Sequence, residues 1–138
     1  MSNYLFVYGT LKRGFGNHRL LAEQEFLGKA RTSMSYIMES RGIPYVYERC
    51  KAWHNGILVE GDQIIGELYR VNDEALPAID ELEGHPRWYR RKKVNILPPF
   101  GTNKFCKISA WLYFMQINHT LRGYPVISNK SQITACYG

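Results

Sequence analysis

Residues Tyr4-Leu5-Phe6-Val7-Tyr8 carry no charge on either face of a strand and run directly into Gly9-Thr10-Leu11. A strand apolar on both faces is expected where both are covered, so this segment predicts a central strand and not an edge. The glycine turn then falls at the end of that strand, inside the protein. Backbone N–H groups there are fixed donors, and a glycine lets a ligand approach them with no side chain in the way. Such a turn can hold a carboxylate or an oxyanion. The plainer alternative is that Gly9 only ends the strand and Lys12-Arg13-Gly14 is a solvated turn. Nucleotide loops fit poorly. Gly9 and Gly14 have the spacing of a phosphate loop but Phe15-Gly16 follows where Lys and Ser or Thr belong, and Arg19 stands where a dinucleotide fingerprint needs its third glycine.

Further strand signals, rich in β-branched and aromatic residues, cover Phe26 to Ile37 with an interruption at Gly28, Ile43 to Tyr47, Ile64 to Val71, Trp88 to Ile96 and Phe105 to Met115. Turn signals stand at Gly42, Asn55-Gly56, Gly61-Asp62 and residues 98–101. Much of the fold should be antiparallel sheet, and with 14% aromatic residues it suits a barrel or sandwich whose lining carries hydroxyls. Asn17 can cap a short helix through Glu23, and Asn72 or Asp73 can open a second that ends at Gly84. Pro77 requires the second helix either to start after its cap signal or to bend. A length of 138 residues without a linker or internal repeat suits one domain, 1–138.

The second helix carries a carboxylate on an unexpected side. At 100° per residue, Ala75, Ile79 and Leu82 form an apolar arc with Ala78 and Leu76 at its margins, while Glu74 and Glu81 point away. Glu83, four residues beyond Ile79 and seven beyond Leu76, falls between them on the inward side. Burial and the partial negative charge of the last helical turn both favour its protonated form. A glutamate so poised can act as a general acid/base near neutral pH. Pairing with Arg87, Arg90 or Arg91 is the competing explanation. Asp80 and Glu81 read as solvated.

A net charge of +6 favours anionic partners in general. The basic run Arg87 to Lys93 resembles a nucleic-acid patch, but strand alternation sends Arg90 and Lys92 to one face and Arg91 and Lys93 to the other. A solvated edge strand explains it better, which argues against nucleic-acid binding. The four histidines show neither paired helical spacing nor a CxxC partner, so no metal site is expected. Three widely spaced cysteines fit reduced thiols. No apolar run approaches the roughly 20 residues of a membrane span and no secretion signal is evident, so the expectation is a cytoplasmic protein with no membrane contact. Nothing in the sequence specifies an oligomeric state.

Phe6-Val7-Tyr8-Gly9-Thr10-Leu11-Lys12-Arg13-Gly14 followed by Asn17-His18-Arg19-Leu20-Leu21 resembles the opening of the γ-glutamylcyclotransferase-like, or AIG2-like, family, most closely its γ-glutamylaminecyclotransferase branch. The resemblance continues in Gly66-Glu67-Leu68-Tyr69-Arg70-Val71, in Ile79-Asp80-Glu81-Leu82-Glu83-Gly84 and in Tyr89-Arg90-Arg91, and fades after Ile96. It implies a mixed α+β fold, a small β-barrel with a few short helices and a pocket at its mouth. It also implies that Tyr8, Gly9, Thr10 and Leu11 form the substrate-gripping loop, that Glu83 is the catalytic acid/base and that Tyr89 lines the pocket. The implied reaction is attack of the α-amine of a small γ-glutamyl substrate on its own γ-carbonyl, releasing 5-oxoproline and a free amine without metal or organic cofactor. A non-catalytic protein of the same fold that grips a small carboxylate is the alternative.

Overall fold

The computed structural model describes residues 2–9, 12, 14, 16–40, 44–54, 56–97 and 107–116. Along the chain these form β1 (Ser2–Val7), a 3₁₀ turn (His18–Leu21), β2 (Glu25–Ser40), β3 (Pro44–Tyr47), β4 (Lys51–His54), β5 (Ile57–Glu60), β6 (Asp62–Asn72), α1 (Ala75–Glu83), β7 (Tyr89–Leu97) and β8 (Ile108–Met115). β1 lies between β6, to which it is antiparallel, and β8, to which it is parallel. The sheet order β3-β2-β6-β1-β8-β7 closes through β2–β7 pairs at Arg31↔Leu97 and Thr32↔Ile96, making a five-stranded barrel with β3 attached to β2.

Closure explains why β1 is apolar on both sides. Phe6 and Tyr8 face a barrel interior filled with Met38, Ile64, Leu68, Ile96, Leu112 and Phe114, whereas Leu5 and Val7 pack outside the barrel against Leu21, Leu76, Ile79 and Tyr113. Two cores therefore share one strand, and α1 with the 3₁₀ turn lies over its outer face. Asn72 accepts a hydrogen bond from the Ala75 N–H at 3.0 Å through its side chain, so α1 opens at Ala75 and Pro77 falls in a first turn that needs no N–H from it. Gly84 ends it in the left-handed conformation, with φ 64° and ψ 37°. Among the described residues no helix is long and apolar enough to cross a membrane.

Several local expectations need correction. The segment after Asn17 is a single 3₁₀ turn, and the Asn17 side chain does not cap it. β4 and β5, invisible as strands, pair as a separate hairpin whose turn holds Gly56 at φ 78°. Lys12 is only 8% exposed and so does not belong to a solvated turn. The turn signals at Gly42 and residues 98–101, and residues 105–106, lie outside the described residues.

β2 is long enough to serve both β6 and β7 because it is irregular. Its register with β6 shifts between Phe26 and Gly28 and again between Arg31 and Ser35. At the second break the fully buried Thr32 replaces the missing ladder bonds: its hydroxyl donates to the Met34 carbonyl at 2.6 Å and accepts from the Ile64 N–H at 2.9 Å. Thr32→Val keeps the shape and leaves the buried Ile64 N–H without an acceptor, which costs about 2 kcal/mol. The expected result in urea unfolding is a lower midpoint at unchanged slope; a loss below about 0.5 kcal/mol would show that the ladder tolerates the break unaided.

Candidate active site

The barrel mouth brings together the end of β1, the last turn of α1, the first residue of β7 and the start of β3. They enclose a cavity of about 230 Å³ lined by Phe6, Val7, Tyr8, Gly9, Asn17, Pro44, Leu82, Glu83, Tyr89 and Tyr113. Tyr8, Gly9, Glu83 and Tyr89, all singled out in the sequence, thus meet at one cavity. Thr10 and Leu11 lie outside the described residues. Pro44 and Tyr113 had no such signal, because only the folding of the barrel carries them there from distant parts of the chain, and the sequence marks Asn17 only as a helix cap and as part of the family motif.

Gly9 begins a turn in which its carbonyl accepts from the Lys12 N–H at 3.0 Å, and a Cβ built on Gly9 meets no atom within 4 Å. The space beside this main chain is open, so the glycine is not there to avoid a clash within the fold.

Glu83 lies on the same side of α1 as the buried Leu76 and Ile79. The arc expected from the sequence is displaced, however. Leu82 is 40% exposed and lines the cavity rim, because the final turn of α1 projects past the residues that cover β1. Glu83 is partly buried, and among the described residues it makes no ion pair. Burial pushes its carboxyl up to about 7. Of the three arginines that could have neutralised it, Arg91 is engaged elsewhere, and among the described residues neither Arg87 nor Arg90 pairs with it. Arg91 donates to both oxygens of Asp80, at 2.8 and 3.1 Å, and stacks over the Trp111 ring at 4.3 Å.

Asp80 is correspondingly not a solvated residue. Burial alone would raise its carboxyl, but the Arg91 and Tyr113 hydrogen bonds and the Arg91 charge outweigh it and hold the group below the ordinary carboxylate range. The two acids on this helix are therefore set apart by their surroundings: Asp80 is paired and held ionised, and Glu83 is unpaired and held near neutrality.

Three phenols stand around Glu83. Tyr8 donates to the Tyr113 carbonyl at 2.6 Å, and Tyr113 donates to Asp80 at 2.5 Å. Burial raises all three hydroxyls first, and the Glu83 charge adds to that for Tyr8, Tyr89 and Tyr113. They remain protonated donors. Among the described residues the Tyr89 hydroxyl has no hydrogen-bond partner, although its ring stacks on Tyr45 with centroids 6.3 Å apart. β7 is also not simply a solvated edge. Lys92 pairs with Glu48 at 2.6 Å, and Lys93 joins Arg91 over Trp111. Among the described residues no group of His, Cys, Asp and Glu is placed to hold a metal ion.

Known proteins show the same arrangement of chain. A crystal structure of an AIG2-like protein from Mus musculus superposes with a TM-score of 0.70 over 86% of this chain and 80% of its own, at 24% identity, which is a likeness of fold. A Methanocaldococcus jannaschii protein provisionally named a gamma-glutamylcyclotransferase is 46% identical over 112 residues, 80% of this chain and 82% of its own length. The gamma-glutamylaminecyclotransferase of Rattus norvegicus is 32% identical over 98 residues, 67% of this chain and 62% of its own. Residues 5–131 match the profile described as gamma-glutamyl cyclotransferase, AIG2-like, which covers every element lining the cavity, and the chain belongs to that family.

Proposed function

We propose that the protein is a γ-glutamyl cyclotransferase of the amine type, with Glu83 as its general acid/base. The observation that carries this reading is an unpaired carboxyl, pushed up to about 7 by burial, in the same cavity as the main chain of Gly9 and the hydroxyl of Tyr89. The ionised Glu83 takes a proton from the substrate α-ammonium. The freed amine attacks the γ-carbonyl carbon of the same molecule, and a C–N bond forms as the ring closes. Glu83 then returns the proton to the departing nitrogen as the original amide C–N bond breaks, and the ring nitrogen, positively charged after its attack, gives up its second proton to the released amine, so that the products are 5-oxoproline and the amine as its ammonium ion. One group can serve both transfers because a carboxyl at about 7 is present in both its ionised and its protonated form near neutral pH.

The remaining lining holds the γ-glutamyl part in a shape ready to cyclise. The main chain at Gly9, with open space beside it, suits the α-carboxylate or the developing oxyanion, and the protonated Tyr89 hydroxyl suits a second oxygen. A volume of about 230 Å³ is on the scale of one small γ-glutamyl unit rather than a long peptide. The direct test is incubation with γ-glutamyl amines, including γ-glutamyl-lysine, and with γ-glutamyl amino acids, with chromatographic detection of 5-oxoproline. Release from the amines is the expected result. Saturable binding of these compounds without any 5-oxoproline would favour the carboxylate-binding alternative.

A further inference from the structure

A second groove adjoins the cavity and shares Leu82, Glu83 and Tyr89 with it. Its remaining lining is Tyr45, Glu81, Gly84, Trp88 and Met115, around a volume of about 480 Å³. This chain has a net charge of +6, yet the described lining of the groove contains two carboxylates, two tyrosines and a tryptophan, and no Lys or Arg. Carboxylates and exposed aromatic faces are the groups that recognise an organic ammonium, whereas an anionic ligand would meet only repulsion here.

The aromatic walls are held in place. Trp88 is 54% exposed, but its backbone is fixed: its amide N–H donates to the Gly84 carbonyl at 2.9 Å and its carbonyl accepts from the Gln116 amide N–H. Gly84 is shaped around it: a Cβ there would come within 2.8 Å of the indole. On the other side Tyr89 is stacked on Tyr45, and both rest on a cluster that includes Tyr47, Ala52 and Met115. A ligand would find these faces already arranged, with little side-chain ordering left to oppose binding.

We infer that this groove receives the departing amine and that Glu81 and Trp88 select leaving groups bearing a second cationic centre. The inference rests on the cyclotransferase reading above. With the γ-glutamyl unit in the cavity, the scissile nitrogen has to lie beside Glu83 to be protonated by it, and Glu83 is one of the three residues, with Leu82 and Tyr89, at which cavity and groove meet. Whatever is attached to that nitrogen then extends along Glu81 and Trp88.

The test compares three γ-glutamyl amides of equal chain length, whose amine ends in an ammonium, a methyl or a carboxylate. It measures kcat/KM for 5-oxoproline release by the wild type, Glu81→Gln, Trp88→Leu and, as a charge control at the N-cap of the same helix, Glu74→Gln. The wild type is expected to prefer the ammonium over the methyl compound by about 5- to 20-fold and to use the carboxylate compound least, in line with one charge-assisted contact and one cation–π contact at a partly exposed site. Glu81→Gln and Trp88→Leu should each shrink the ammonium-to-methyl ratio severalfold, and Glu74→Gln should leave it unchanged. Equal use of the three compounds by the wild type, or an unchanged ratio in Glu81→Gln, overturns the assignment of the groove while leaving cyclisation in place. Absence of 5-oxoproline from all three overturns the cyclotransferase reading and this inference with it.

Discussion

Glu83→Gln is expected to remove at least 10²- to 10⁴-fold of the turnover, in the range of a lost general acid/base, and at the same time to make the protein more stable above pH 7. The two effects share one cause. The folded-state pKa of Glu83 stands at about 7 against an ordinary 4.5, so between those values the folded chain binds a proton that the unfolded chain has released. Stability from this group is complete below about pH 4.5, declines as pH rises and is gone above about 7. At about 1.4 kcal/mol per unit, the ionised carboxylate destabilises the fold by at most about 3 kcal/mol at pH 8, less where water reaches it.

Glutamine keeps the shape and never ionises. Melting curves of the two proteins should therefore nearly coincide at pH 4 and diverge by about 5–10 °C in favour of Glu83→Gln at pH 8. The wild-type kcat/KM should rise with pH through an apparent value near 7, because the reaction begins with the ionised form. A variant no more stable than the wild type at pH 8 would mean that Glu83 finds a partner in solution. A variant that retains turnover would remove it from the chemistry altogether.

How much of this site could be read beforehand depended on whether a residue's setting is local or made by closure. Glu83 was legible because Leu76 and Ile79 fix the buried side of α1 within one turn of it. The neighbouring error, Leu82 placed in the core, comes from treating the helix as covered along its whole length when its last turn overhangs the cavity. Asp80 was read as solvated because its partners, Arg91 and Tyr113, lie on two other strands 11 and 33 residues further along. The β4–β5 hairpin was missed because its side chains violate the usual pattern: Trp53, Ile57 and Leu58 are exposed, and only Ala52 and Val59 meet the core. The central place of β1 left the clearest mark, since a strand covered on both sides has to be apolar on both faces of Tyr4 to Tyr8, whether the sheet is open or closed.

Two glycines of the segments that resemble the family should respond oppositely to alanine, and the larger effect belongs to Gly66. On β6, Gly66 lies opposite Ala30 of β2 and one residue from the Val7↔Glu67 pair with β1. A Cβ added there would stand 2.3 Å from the Val7 carbonyl oxygen and 2.7 Å from the Phe6 ring. Neither neighbour can yield alone. The carbonyl belongs to the β1–β6 ladder, and the ring is buried in the barrel interior. Any gain from restricting the unfolded chain, about 0.4–1 kcal/mol, is outweighed by overpacking of about 3 kcal/mol or more. Gly66→Ala should therefore lower the melting temperature by about 10 °C. Because relief requires Val7 to move, and Val7 leads into Gly9, the protein that still folds should also show a raised KM. Gly9→Ala meets open space instead and should unfold within about 0.5 kcal/mol of the wild type while binding γ-glutamyl compounds more weakly, as its methyl group stands beside the cavity. Wild-type stability in Gly66→Ala would mean that β1 and β6 can separate without loss, and the shape of the cavity would then no longer follow from that strand contact.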